Sequence, residues 1–194
     1  MTDDTSVVTK RLTLCALTIE DADEMARVLG DDRLHEFIDG RPDDLNQLRD
    51  RYRRWIAGST VPGVAWLNWI VRQRANMVAI GTVQATVSTA PDGRATAEVA
   101  WVIGIGWQGN GFASEAARSI IEWLRVHGVG DITAHIHPDN HASGIVASRS
   151  GLYLTDERHA DQTVWRSSPA SAAMPSAQGT PPSRRHQAKQ SGEV

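Results

Sequence analysis

Residues 10–17, Lys-Arg-Leu-Thr-Leu-Cys-Ala-Leu, alternate apolar and polar positions and predict a strand. Thr18 follows, with acids at Glu20 and Asp21, a combination expected to cap a helix. Ala22, Met25, Ala26 and Leu29 then recur at helical spacing as far as Gly30, a natural stop. A second helix is predicted over 43–57, with Leu45, Leu48, Tyr52, Trp55 and Ile56 on one side and Asp44, Arg49, Arg51, Arg53 and Arg54 elsewhere on its surface. Three strand patterns come next, over 65–73, 77–88 and 95–103. Gly81 interrupts the middle one and marks a bulge or a close backbone approach. Pro91-Asp92-Gly93 presets a turn, so the strands flanking it form an antiparallel hairpin. The strongest helical stripe is Ala113, Ala116, Ala117, Ile120, Ile121 and Leu124, within a helix over 112–127 closed by Gly128. A short strand over 131–137, a short helix over 140–150 and one or two last strands around Tyr153 and Val164-Trp165 complete the pattern.

The order β, α, α, then antiparallel β, then β-α-β, α, β is mixed α/β. It predicts a mostly antiparallel sheet of six or seven strands, about four helices and one parallel crossover near residues 98–137. The character changes at Ser167: the last 28 residues hold half of the prolines and no aromatic residue. Such a stretch buries too little apolar surface to offset its ordering entropy and is expected to be a disordered tail. The expected organisation is therefore an N-terminal extension over 1–7, one domain over 8–166 and a tail over 167–194.

Charge and cysteine content narrow the function. The net charge of -3 argues against a general nucleic-acid binder, which needs a basic footprint. The single cysteine, Cys15, leaves neither a disulfide framework nor a multi-cysteine zinc site. No apolar run reaches the roughly 18–20 residues of a membrane helix, and the acidic start lacks a secretory pattern. The expectation is a cytoplasmic protein with no membrane partner.

The chemistry concentrates where a strand runs through a glycine-rich loop into a helix. Gly104, Gly106, Gly109 and Gly111 fall within eight positions. Glycines let backbone N–H groups turn inward, and a helix N-terminus adds free donors and a positive dipole end. Together they suit a phosphate or diphosphate. Gly104-Ile-Gly-Trp-Gln-Gly109 spells a dinucleotide fingerprint, but that fingerprint opens the first βαβ unit of a parallel sheet, and here it follows about a hundred residues of mainly antiparallel pattern.

A second spelling, Gln108-Gly-Asn-Gly111-Phe-Ala113, resembles the Q/R-x-x-G-x-G/A signature of the GNAT family of acyl-CoA-dependent N-acyltransferases. Asn140-His-Ala-Ser143 followed by Gly151-Leu152 is similar to that family's N-x-x-S…G-F segment. Glu98-Val-Ala-Trp101-Val and the opening Thr-Lys-Arg-Leu-Thr-Leu resemble its ribosomal-protein N-terminal acetyltransferase (RimJ/RimL-like) branch. The likeness covers about residues 8–166. It implies a splayed parallel strand pair and an acetyl-CoA co-substrate, with no metal. It also assigns roles. The backbone of Trp101, Val102 and Ile103 would pair with the pantetheine arm, and the amides of Gln108, Gly109, Asn110, Gly111, Phe112 and Ala113 would hold the diphosphate. Asn140 would reach the arm, with Ser143 one turn further on. Asn140 is also a good helix cap, and one asparagine can do both.

Acyl transfer to an amine needs a base for the amine proton, donors for the developing oxyanion and an exit for the thiolate. Glu98 is the candidate base, with an exposed strand carboxylate as the alternative. Many relatives protonate the thiolate with a tyrosine, but the matching position here is Ala147, which leaves Ser143, a water or no acid at all. The branch likeness implies a protein N-terminal amine as acceptor. A small-molecule amine such as an antibiotic, amino acid or polyamine is the alternative, and a non-catalytic acyl-CoA sensor a further one.

Other clusters carry weaker signals. His135, His137, His141 and Asp139 are expected to line the acceptor side rather than to hold a metal. Trp66, Trp69 and Trp101 are expected mainly in the core. Trp107, inside the loop, is expected to cover the coenzyme or form a dimer contact, so a homodimer stays open. Arg49 and Arg53 are candidates for an acidic substrate group.

Overall fold

The structure is a computed structural model and describes residues 5–37 and 40–168. The strands are β1 (Val7–Val8), β2 (Leu12–Ala16), β3 (Val64–Gln73), β4 (Ala79–Thr89), β5 (Ala95–Ile103), β6 (Val129–Ile136), β7 (Leu152–His159) and β8 (Gln162–Ser167). The helices are α1 (Ala22–Leu29), α2 (Leu45–Ala57), α3 (Phe112–Val126) and α4 (His141–Arg149). The eight described strands form one sheet in the order β1-β2-β3-β4-β5-β6-β8-β7. Every neighbouring pair is antiparallel except β5–β6.

The sheet thus has more strands than the sequence pattern suggests. The addition is the two-residue β1, inside the segment read as an extension. It is tied down by pairing with β2 and by the Trp69 indole N–H, which donates to Thr5 O at 2.8 Å. At the other end Ser167 is buried, and its hydroxyl accepts from the Ile132 amide at 3.1 Å. The folded unit therefore reaches past 166, and most of the tail lies outside the described residues.

Helices cover both faces of the sheet, which explains why Trp69-Ile70-Val71 in β3 reads as an unbroken apolar run. Trp69 and Val71 point towards α3, where Ala116, Ile120, Ile121 and Leu124 are buried, and Trp123 meets the Trp69 ring edge-on at 5.6 Å. Ile70 points the other way, into a second core of Leu17, Met25, Leu48 and Tyr52 beneath α1 and α2.

Local chemistry sets the element ends. Thr18 does not cap α1. The Leu17 amide is still held to the sheet by Asn68 O at 3.0 Å, and the helix starts only at Ala22. The Thr18 amide and hydroxyl instead donate to the Asp21 carboxylate at 2.8 and 2.9 Å. α2 opens on a capping box: Asp44 accepts from the Asn46 and Gln47 amides, and the Gln47 side chain accepts from the Asp44 amide. β4 begins at Ala79, because Met77 turns through φ 58°. At Gly81 both sequence readings hold. The β3–β4 register shifts beside it, and a Cβ there would lie 2.2 Å from Val102 O.

Candidate active site

β5 and β6 are paired over only a short stretch, ending at Glu98 opposite Thr133. Beyond it β5 stays with β4 as far as Ile103, while β6 stays with β8 as far as Ile136. The two strands therefore part, and a cleft of about 880 Å³ opens between them. Glu98, Trp101, Val102, Asn140 and Ser143 all line it, joined by His135 of β6 and by His137 just past its end. Sequence reasoning had brought these residues together only through family likeness; the sheet brings them together by register.

The end of β5 leads into the glycine loop. The Gly104 amide donates back to Ile80 O at 2.9 Å, and the Gln108 side-chain amide donates to Ile103 O at the same distance. Gly109 and Gly111 both take φ 76°, the left-handed region that glycine adopts without Cβ strain. The first amide in this stretch to find a helical acceptor is that of Glu115, which donates to Gly111 O. Among the described residues, no acceptor meets the amides of Gly109, Asn110, Gly111, Phe112 or Ala113. The Gln108 amide differs: it donates to Ile105 O at 3.2 Å, so Gln108 props the loop through both its backbone and its side chain. Open space lies where a Gly109 Cβ would stand, and only Arg11 lies near that of Gly111, at 3.6 Å. The cradle therefore fits a diphosphate in donor set, dipole direction and access.

Arg11 fastens this loop to β2, a role the sequence did not signal. Its Nη1 donates to Asn110 O at 2.9 Å, its Nε donates to Glu115 Oε2 at 2.7 Å, and its guanidinium lies 4.5 Å from the centre of the Phe112 ring. Glu115 also accepts from the Thr9 hydroxyl and the Arg11 amide. Burial pushes the Glu115 carboxyl up, but the bonds from Thr9 and Arg11 outweigh it and hold it below the ordinary glutamate value.

Across the cleft, Asn140 caps α4: its Oδ1 accepts from the Ser143 amide at 3.0 Å. The capping role is realised, and the Asn140 Nδ2 group stays available to a ligand. Ala147 is wholly buried in the core, so α4 supplies no acid from that position. Glu98 Oε1 lies 3.3 Å from His135 Nδ1, and the His135 ring stacks on His159 at 4.7 Å. His137 stacks on Phe37, which reaches it from the segment after α1, and accepts from the Asp139 amide at 3.2 Å.

Several expectations need correction. Arg49 and Arg53 do not line the cleft. Arg49 pairs with Asp23 at 2.9 Å and Arg53 with Asp50 at 2.5 Å. Arg51, on another side of α2, does line it and pairs with Asp43. Trp107 packs against both cores and lies over Gly104 rather than over an open loop. Trp66 is 39% exposed, so of the three strand tryptophans only Trp69 is fully core. Among the described residues no three His, Cys, Asp or Glu side chains gather as a metal site.

On the side of the cleft below α2, other residues of the helix than those picked from the sequence form the wall. Tyr52, read there as one of the apolar stripe, is wholly buried and lines the cleft. Burial first, then the charge of Asp21, pushes its phenol far above the ordinary tyrosine range, so it stays neutral. Thr82 and Gln84 of β4 line the cleft too, and Thr82 faces Val102 in the strand register.

Comparison with known proteins bears directly on this geometry. Residues 11–153 match the model of the acetyltransferase (GNAT) domain. The chain belongs to that family, and so is an N-acetyltransferase that uses acetyl-CoA as its acyl donor. It is 29% identical over 137 residues, 70% of this chain and 75% of the relative, to the uncharacterized N-acetyltransferase p20 of Bacillus licheniformis. Its fold is similar to that of RimL, the ribosomal L7/L12 alpha-N-protein acetyltransferase, in complex with coenzyme A, at TM-score 0.66 and 15% identity over 82% of this chain and 95% of that one. It is equally similar to AAC(6')-Ib in complex with paromomycin and acetyl-CoA, at TM-score 0.67 and 17% identity over 80% and 92% of the two chains.

Proposed function

We propose that this enzyme moves the acetyl group of acetyl-CoA directly onto a primary amine held in the β5–β6 cleft. The observation that carries the reading is the parting of the two strands just past Glu98, with the free loop amides at one end of the gap and a polar wall at the other. Acetyl-CoA supplies a thioester whose carbonyl carbon the amine attacks. The amides of Gly109, Asn110, Gly111, Phe112 and Ala113 hold the diphosphate. The unpaired edge of β5 at Trp101, Val102 and Ile103 aligns the pantetheine arm as an added strand, and Asn140 Nδ2 steadies it from the facing side.

Glu98 receives the amine proton, directly or through a water, at the point where the strands part. His135, within ion-pair distance of it, can pass that proton on. An α-amine, with pKa near 7.7–8.0 against about 10.4 for lysine, is easier for a carboxylate to deprotonate. Ser143, which lines the cleft with Asn140, offers a hydroxyl to the leaving thiolate. The strand likeness to the RimJ/RimL-like branch supports a protein N-terminus as acceptor. The enclosed polar cleft favours a small amine, a reading developed below.

Release of free thiol from acetyl-CoA, measured against a panel of peptides and small amines, tests the function. Turnover with at least one amine is expected, and Glu98→Gln should lower kcat by about 100-fold and flatten the acid limb of the pH–rate profile. Tight acetyl-CoA binding with no turnover across the panel would leave a binding domain and overturn the enzymatic reading.

A further inference from the structure

Three buried side-chain atoms among the described residues lack a hydrogen-bond partner: His35 Nδ1, Asp43 Oδ2 and the Tyr52 hydroxyl. All three residues line the cleft that holds Glu98. They come from different places in the chain, His35 from the segment after α1, Asp43 from just before α2, and Tyr52 from its middle turn. Orphaned polar atoms in a protein interior are rare and costly, and three on residues that line one cleft point to a ligand that completes them.

The chemistry of the missing partner follows from what the three atoms can do. A carboxylate oxygen only accepts. A neutral phenol accepts as well as donates, and an imidazole with its proton on Nε2 accepts at Nδ1. A primary ammonium is the complement, with three N–H donors and no acceptor. Arg51 neutralises part of Asp43: its Nη2 donates to Oδ1 at 2.8 Å and lies equally near Oδ2, which takes no hydrogen bond of its own from it. The wider wall keeps an acidic balance: Glu36, Asp43, Glu98 and Asp161 line the cleft against the single guanidinium of Arg51.

We infer that the acceptor is a small molecule with two ammonium groups. One is acetylated near Glu98, and the other docks on Asp43, Tyr52 and His35. The cleft, at about 880 Å³, is of the size that holds a small ligand rather than a folded surface. The inference rests on the acetyltransferase reading and adds the substrate class to it. A linear polyamine and an amino-sugar share the chemistry, and the experiment separates them.

The test compares kcat/KM for pentylamine, for pentane-1,5-diamine, for an amino-sugar with two ammonium groups and for a peptide with a free N-terminus. The wild type should prefer one of the dications to the monoamine by about tenfold or more, roughly the effect of one charge-assisted contact. Whether the linear or the sugar dication leads identifies the source. Tyr52→Phe, which keeps the ring that fills the core, should reduce that preference about fivefold or more, chiefly through the acceptor KM, and Asp43→Asn should act in the same direction. Circular dichroism would establish that both variants fold. Equal rates for monoamine and dications, or a preference untouched by both substitutions, would overturn the inference and leave acetyl transfer standing, as would a peptide that outruns every dication. Acetyl-CoA binding without turnover of any of the four would overturn the enzymatic reading, and this inference with it.

Discussion

The two ends of the cleft are built by opposite means. The end proposed for the coenzyme is made of backbone from one continuous stretch, β5 through the first turn of α3, and its donors are amides that any sequence would supply. What the sequence must provide there is permission: glycines at 109 and 111, where φ is 76°. The end proposed for the acceptor is made of side chains drawn from the segment after α1, from α2, β4, β6 and the β7–β8 hairpin. One end is suited to a diphosphate, whose shape does not change between substrates. The other can be retuned residue by residue without disturbing the fold.

The largest effect should come from closing the backbone cradle. Gly111→Trp puts a bulky side chain among the loop amides and forces an L-residue into left-handed φ, a conformation that costs roughly 1–2 kcal/mol by itself. Acetyl-CoA affinity, measured by calorimetry, should fall about 100-fold or more, some 2.7 kcal/mol. Gly128→Trp separates the two causes. Gly128 has φ 84° with open space around it, but it closes the far end of α3. It should lose stability and keep coenzyme affinity. Equal affinity losses in both variants would mean that strain, not blocked amides, explains Gly111.

A smaller loss is expected where the fold sets the width of the cleft. A Cβ at Gly81 would stand 2.2 Å from Val102 O and 3.0 Å from Ile103 Cα, both backbone atoms of the strand that borders the cleft. Gly81→Ala can be accommodated only by moving β5 away from β4. Overpacking of this kind costs about 2 kcal/mol, to be read from chemical denaturation, and turnover should fall along with stability. Unchanged turnover in a destabilised variant would detach the acceptor end from the β4–β5 spacing.

The same contrast explains what could be read from the sequence. The glycine loop's geometry was legible because its signal is local: strand, glycines and helix follow one another, and Gly81 and Pro91–Gly93 likewise declare a backbone need in place. The acceptor end was not, because Tyr52 and Asp43 acquire meaning only once α2 lies across the sheet. Tyr52 shares a helical stripe with Leu48 and was counted as core, which it is; that it also borders the cleft shows only in three dimensions. Arg49 and Arg53 are one turn apart and share a face. Arg51 lies about half a turn round the helix from both, so choosing the wrong arginines followed from not knowing which face met the cleft. Trp107 misled for a related reason: a tryptophan among glycines looks exposed until Gly104 is seen lying under its ring.

The mildest test asks whether side chains matter at the backbone-built end at all. Glu115 is the link, since its carboxylate gathers Thr9 and Arg11 while Arg11 grips Asn110 O. Its folded carboxyl titrates below the ordinary glutamate value of 4.5, so it binds its proton less readily in the folded state than in the unfolded one. The stability it lends is therefore complete above that ordinary value and is lost as pH falls through the lower, folded one. The wild type should accordingly lose both stability and coenzyme affinity on that acidic side, as protonation loosens Arg11 and the loop it holds. Glu115→Gln, which keeps the shape but not the charge, should already be weakened at neutral pH, by about threefold in acetyl-CoA affinity. It should also show a shallower further loss in acid. Acid profiles of identical slope for the two proteins would mean that the glycine loop holds its shape unaided, and that the coenzyme end owes nothing to side-chain charge.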